Sequence, residues 1–184
     1  MGTLRLTGGT LRSRSVKTPS GRAVRPTPAR VKEALFSILA DRLDNANVLD
    51  LFAGTGALGF EALSRGAAHA TFVEQHRPTA DALRGAAQAL GVSDRTSILA
   101  MPADRAARMV AGRYDIVFAD PPYAHAYPAT AFATLRERGA IDERSVVVYE
   151  HSSRLPAPSD PAFHLEREAA YGEVALAFLQ PEPA

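Results

Sequence analysis

The chain contains no cysteine. That excludes a disulfide framework and any thiolate metal site. It has no apolar run near the roughly 18 residues that a membrane span requires. The N-terminus has no apolar signal core, so a soluble, cytoplasmic protein is expected. Five histidines, His69, His76, His125, His151 and His164, fall without metal-ligand spacing. No metal is expected, and they read as surface or structural residues, except His125, which follows a candidate substrate loop. No repeat unit recurs, and nothing in the pattern demands more than a monomer. The most informative absence is local: no acid precedes Glu33.

That acid-free stretch carries Arg5, Arg12, Arg14, Lys17, Arg22, Arg25, Arg30 and Lys32. Of 21 basic residues it holds eight, leaving 13 against 20 acids in the remainder. Such asymmetry points to an arm that binds a polyanion. Leu4, Leu6, Leu11 and Val16 are interleaved with the charges, and Gly8-Gly9 and Pro19-Ser20-Gly21 are turn signals. Residues 1–27 are therefore expected to form a basic hairpin or extended arm that folds against its target. Residues 28–184 are expected to form the main domain.

The remainder alternates between helical and strand periodicity. Helices are predicted over 28–43, 57–65, 78–90, 105–110 and 128–138, and strands over 48–52, 70–74, 97–100, 115–119 and 145–150. Segments 163–169 and 173–179 flank Tyr171-Gly172 as a closing antiparallel hairpin. Such alternation predicts an α/β fold, a Rossmann-like, mostly parallel sheet with helices on both faces. Only 152–161, rich in proline and serine, reads as a loop of doubtful order.

Sheets of this kind bind ligands beyond the carboxyl ends of their strands. Gly54, Gly56 and Gly59 form a G-x-G-x-x-G turn between strand and helix, where the backbone can approach a ligand closely. Glu74 ends the next strand and can accept hydrogen bonds from ribose hydroxyls. The glycine pattern also suits a nicotinamide dinucleotide, but Asp50, just before the loop, would repel a pyrophosphate. Beside the ammonium of an amino acid it is useful. A ribose together with an α-amino acid describes S-adenosyl-L-methionine. No Gly-Lys-Ser/Thr follows, which excludes a P-loop.

A core strand then ends abruptly in Asp120-Pro121-Pro122-Tyr123. The prolines fix φ and remove two backbone donors. What remains is a rigid turn of acceptors, the Asp120 carboxylate and the Pro121 carbonyl. These suit the two N–H donors of an exocyclic base amine, and Tyr123 offers a face for stacking. The base must leave its stack to reach them. Glu150-His151 ends a later strand at the same edge and is a further candidate RNA contact.

"ADPPY" resembles the motif of amino-group methyltransferases. The whole chain is similar to the RsmD family of bacterial 16S ribosomal RNA guanine-N2 methyltransferases, through "LRLTGGTLRSRSV", "RPTPARVKEALFSIL", "LDLFAGTGALGFEALSRGA", "ATFVE", "ADPPY" and "YGEVALAFL". The resemblance implies a class I methyltransferase fold with an RNA-contacting N-terminal hairpin, and 16S ribosomal RNA of the small subunit as partner. It places Asp50, Phe52, Ala53, Gly54, Thr55 and Gly56 around the methionine part of the cofactor. Glu74 falls at the ribose, Gln75 beside the adenine, and Ala103-Asp104 at the adenine amine. Asp120, Pro121 and Tyr123 hold the target base, with Pro122 facing the RNA. Arg5, Arg12, Arg14 and Lys17 belong to the RNA hairpin, and Arg25, Thr27 and Arg30 to a segment over the site mouth. Where the family often has glycine between two basic residues, this chain has Ser13. The rival readings are a DNA adenine-N6 methyltransferase, for which little length remains for a target-recognition domain, and a non-catalytic RNA-binding assembly factor, which would not need Asp120 or the glycine loop. A nicotinamide-dependent oxidoreductase is the third.

Overall fold

The computed structural model describes residues 2–18, 28–122 and 127–183. Arg25, Thr27, Tyr123 and His125, singled out above, lie outside them. The described chain forms a two-stranded hairpin, β1 (Gly2–Arg5) and β2 (Ser15–Thr18), and a seven-stranded sheet with five helices. The sheet strands are β3 (Asn47–Asp50), β4 (His69–Val73), β5 (Thr96–Leu99), β6 (Ile116–Ala119), β7 (Val146–Ser152), β8 (Phe163–Tyr171) and β9 (Val174–Pro181). Their spatial order is β5-β4-β3-β6-β7-β9-β8. The first five are parallel, and β9 enters antiparallel between β7 and β8. Chain order reverses between β3 and β6, and the carboxyl ends of strands at such a reversal are the usual ligand position in these sheets.

Residue chemistry explains the layers. Val48, Phe72, Ile116, Phe118, Val146 and Val148 face one core. That core is covered by α1 (Ala29–Ile38), α2 (Ala57–Ser64) and α3 (Arg77–Leu90). The alternate residues Leu49, Val73, Val117, Val147 and Tyr149 face the second core, covered by α4 (Ala103–Met109) and α5 (Ala129–Glu137). Strands buried on both faces explain the continuous apolar runs read in the sequence. No helix among the described residues is long and apolar enough to cross a membrane.

The structure corrects several boundaries. The helix expected over 28–43 ends at Ile38, and Ala40–Arg42 form a 3₁₀ turn. Leu39 and Leu43 are buried, so they continue the apolar spacing after the helix has stopped. The strand expected over 48–52 ends at Asp50, with Leu51 and Phe52 in the following turn. β7 runs on to Ser152, and the loop after it is tied by Ser153 N–H donating to the Glu173 carbonyl at 3.0 Å.

The hairpin is also already folded against the body, rather than waiting for a target. Leu4, Leu6 and Val16 are buried in the α1–α3 core. Its turn closes on Glu61 of α2, whose side chain is fully buried. Glu61 accepts from Thr7 N–H at 3.0 Å, Thr7 Oγ1 at 2.9 Å and Gly8 N–H at 2.8 Å. Lys32 Nζ at 3.1 Å and Arg65 Nε at 2.9 Å neutralise it. Ser64 adds a carbonyl that accepts from Thr10 N–H at 2.7 Å and a hydroxyl that donates to the Gly8 carbonyl at 2.5 Å. A Cβ built on Gly9, at φ 74°, would lie 1.8 Å from that Ser64 carbonyl oxygen, so only glycine admits the approach. Ser13 sits at φ 68°, in the left-handed region.

Candidate active site

Three carboxylates meet at the carboxyl ends of β4, β3 and β6, three neighbouring strands. Asp50 closes β3 and is 2% exposed. Gly59 N–H, in the first turn of α2, donates to its Oδ2 at 3.3 Å. The free N–H groups of a helix start favour a carboxylate there, and Gly59 and Phe52 N–H both lower its pKa. Burial outweighs them, and with the charges of Asp120 and Glu74 it pushes the Asp50 carboxyl up to about 7. Asp120 follows β6, and burial pushes its carboxyl up to about 6.

Glu74 follows β4 and is oriented by two backbone donors, Gly54 N–H at 3.1 Å and His76 N–H at 2.7 Å. The glycine loop therefore hangs between Asp50 and Glu74. Ala53 N–H donates to the Val73 carbonyl at 2.9 Å, tying the loop to β4. Gly54 and Gly56 adopt φ 49° and 78°, values that an L side chain resists. Ala53 is buried, Phe52, Gly54 and Thr55 are half-buried, and Gln75 is exposed. Ala103 and Asp104 open α4, two residues earlier than the expected helix start, with Asp104 exposed.

Pro121 is buried and Pro122 exposed. Sequence reasoning missed Tyr149. Burial, then the charge of Asp120, raises its pKa, which puts the ring near that carboxylate. Tyr149 stacks on His151 at 5.7 Å and meets Tyr127 edge-on at 5.3 Å. Tyr149 pairs with Ala119, the last residue of β6, so the β6–β7 ladder ends at it.

Arg5, Arg12, Arg14, Lys17 and Arg30 are exposed. Arg14 Nη1 donates to the Leu90 carbonyl at the end of α3, at 3.0 Å. The hairpin turn thus sits by the carboxyl ends of α2 and α3, at the far end of that layer from Asp120. A cleft of about 340 Å3 lined by Asn47, His69, Ser97 and Tyr114 also lies at the amino edge of the sheet. Its polar groups satisfy one another, His69 with Ser97 at 2.9 Å and Thr71 with Tyr114 at 3.2 Å. The acid cluster at the opposite edge is the candidate site.

Residues 4–180 match the model of the family described as conserved hypothetical protein 95. The ribosomal RNA small subunit methyltransferase D of Escherichia coli strain K12 is 34% identical over 190 residues, covering 98% of this chain and 91% of that protein. The Haemophilus influenzae protein of the same name is 30% identical, covering 97% and 94%. The solved structure of yhhF from Escherichia coli superposes with a TM-score of 0.89 at 33% identity, covering all of both chains. With this fold, this acid cluster and these relatives, the chain belongs to the RsmD family.

Proposed function

We propose that the protein is a methyltransferase that transfers a methyl group from S-adenosylmethionine to the exocyclic N2 amine of a guanine in 16S ribosomal RNA. The observation that carries this reading is the convergence of Asp50, Glu74 and Asp120 around a glycine loop of positive φ. Three acids at one strand edge suit a cofactor with a cationic amino-acid part and a ribose, and oppose a pyrophosphate. Relatives named ribosomal RNA small subunit methyltransferases support the substrate. The Asp120-Pro121-Pro122-Tyr123 turn suits any exocyclic base amine, and the choice of guanine N2 rests on the resemblance of the whole chain to the RsmD family.

S-adenosylmethionine, when bound, supplies a methyl group on a sulfonium. Asp50 would face its ammonium and Glu74 its ribose hydroxyls, with Phe52 to Gly56 along the chain between them. Ala103, Asp104 and Gln75 would border the adenine. Asp120 and the Pro121 carbonyl hold the two N–H bonds of the target amine, so the nitrogen lone pair faces the cofactor side. Such positioning is worth on the order of 7–11 kcal/mol of barrier. The amine proton becomes acidic once the nitrogen is alkylated. It then lies against Asp120 Oδ, whose proton affinity burial has raised. By the family resemblance Tyr123 would offer a face for stacking on the base, and Pro122 would border the RNA. The exposed Arg5, Arg12, Lys17 and Arg30, with Arg14, Arg25 and Thr27, would hold RNA phosphates, and residues 1–27 serve as the docking arm. Titration calorimetry with S-adenosylhomocysteine and with NAD tests the cofactor. Saturable binding of the first alone is expected, and binding of NAD alone would replace this reading with an oxidoreductase.

A further inference from the structure

We infer that Glu150 selects guanine by accepting a hydrogen bond from its N1–H. The inference rests on the proposal that guanine N2 is the target. β6 and β7 are parallel, with Ile116 opposite Val146 and Ala119 opposite Tyr149. The next residues on the two strands are Asp120 and Glu150. Val146 and Val148 share the core that holds Val48, Ile116 and Phe118. Alternation along the strands therefore brings Glu150 to the same face as Asp50. The acids follow one another along the sheet edge, Glu74 after β4, Asp50 on β3, Asp120 after β6 and Glu150 on β7. Neighbouring strands lie about 4.8 Å apart, so Glu150 is one strand beyond Asp120, on the side away from the glycine loop. It is only 9% exposed.

The base edges differ where this acid stands. Guanine presents the N2 amine beside N1–H, two adjacent donors. Adenine presents its N6 amine beside a bare N1, and cytosine its N4 amine beside a bare N3. Asp120 and the Pro121 carbonyl recognise an amine of any of these bases. A second carboxylate next to them meets a donor only in guanine, and in the others it faces a lone pair. A carboxylate has about four acceptor positions, so one that is already held by a partner can still accept from N1–H. Sites built to bond a particular polar group reject analogues that lack it more strongly than apolar pockets reject a change of size.

The test uses 2-aminopurine, which keeps the 2-amino group and replaces N1–H by a lone pair. Small-subunit RNA carrying guanine or 2-aminopurine at the mapped target position is methylated by the wild-type protein and by Glu150→Gln. The wild type should prefer guanine by on the order of 10- to 100-fold in kcat/KM. In Glu150→Gln the amide can turn its NH2 toward a bare N1, so that preference should collapse or invert. Affinity for S-adenosylhomocysteine should stay unchanged. Equal wild-type rates on the two bases would overturn the role of Glu150 while leaving guanine N2 methylation intact. So would a Glu150→Gln variant that loses both activities in proportion. No N2 methylation of any guanine by the wild type would instead overturn the reading on which this rests.

Discussion

Asp50 carries a cost in stability that its proposed role in cofactor binding would account for. Its carboxyl has an ordinary value of 3.8, and burial in the folded chain pushes it up to about 7. The folded state then binds the proton more tightly than the unfolded state, so this group makes stability fall as pH rises from about 4 through 7. Asp50→Asn keeps an acceptor for Gly59 N–H and removes the buried charge. The ligand-free variant should melt higher than the wild type at about pH 8 and equally at about pH 4, by calorimetry. The proposed contact with the cofactor's ammonium needs the ionised form, so wild-type affinity for S-adenosylhomocysteine should weaken below about pH 7, with proton release on binding. Asp50→Asn should bind weakly and show no such release. The strand-end placement of Asp50, Glu74 and Asp120 was legible in the sequence because a short apolar run ends at or just before each of them, with the glycine loop four residues after Asp50 and two prolines directly after Asp120. The rise in the Asp50 and Asp120 pKa values was not, since it depends on which strands lie side by side.

The elements carry a second polar cluster that the sequence concealed. Glu61 sits in α2, an otherwise apolar helix, and its partners Thr7, Gly8 and Lys32 come from the hairpin and α1. Separations of 54 and 53 residues leave no local signal. An acid inside "ALGFEALS" is the one hint. Burial raises the Glu61 pKa, but Thr7 N–H, Arg65 and Lys32 outweigh it and hold the group below its ordinary 4.5. The clamp therefore stabilises the fold above that value and is lost as pH falls through the lower folded value. Glu61→Gln should destabilise the protein by about 3–5 kcal/mol in urea unfolding, because Lys32 is left buried without its charge partner. Ser13 is the converse. Held at φ 68° in the hairpin turn, it stands where the resembled family often has glycine. Ser13→Gly should raise stability by about 0.5–1 kcal/mol, since the strain relieved exceeds the added chain entropy. Among the regular elements, the parallel core was legible from its apolar runs. The edge strand β8 was read short because residues from His164 to Glu168 are exposed and Leu165/Arg167 breaks the register, leaving no alternation to follow.

At the scale of the molecule, charge is divided between a basic N-terminal segment and an acidic remainder. The hairpin is anchored by apolar and buried polar contacts, so its exposed cations are presented on a fixed support. Arg12→Ala with Lys17→Ala should flatten the plot of log RNA affinity against log salt by roughly 0.7–0.9 for each phosphate that is no longer neutralised. Cofactor affinity should be unaffected, because Asp50 and Glu74 are held by other elements. An unchanged slope in a salt series would remove these two cations from the RNA interface. The arm's charge was plain in the sequence. Its docking on α2 and α3 was not, because Gly8-Gly9 reads as a turn signal until the Ser64 carbonyl is seen against it.

The proposed activity depends above all on the turn after β6 holding a ribosomal guanine amine for methylation. Mass spectrometry of nucleosides mapped along 16S ribosomal RNA decides whether it does, in cells with the gene, without it, and with Asp120→Ala in its place. One N2-methylguanine should disappear with the gene and stay absent with Asp120→Ala, while the purified variant still binds S-adenosylhomocysteine within a few fold of the wild type. A full complement of N2-methylguanine without the gene, or its restoration by Asp120→Ala, would show that the turn does not carry this chemistry.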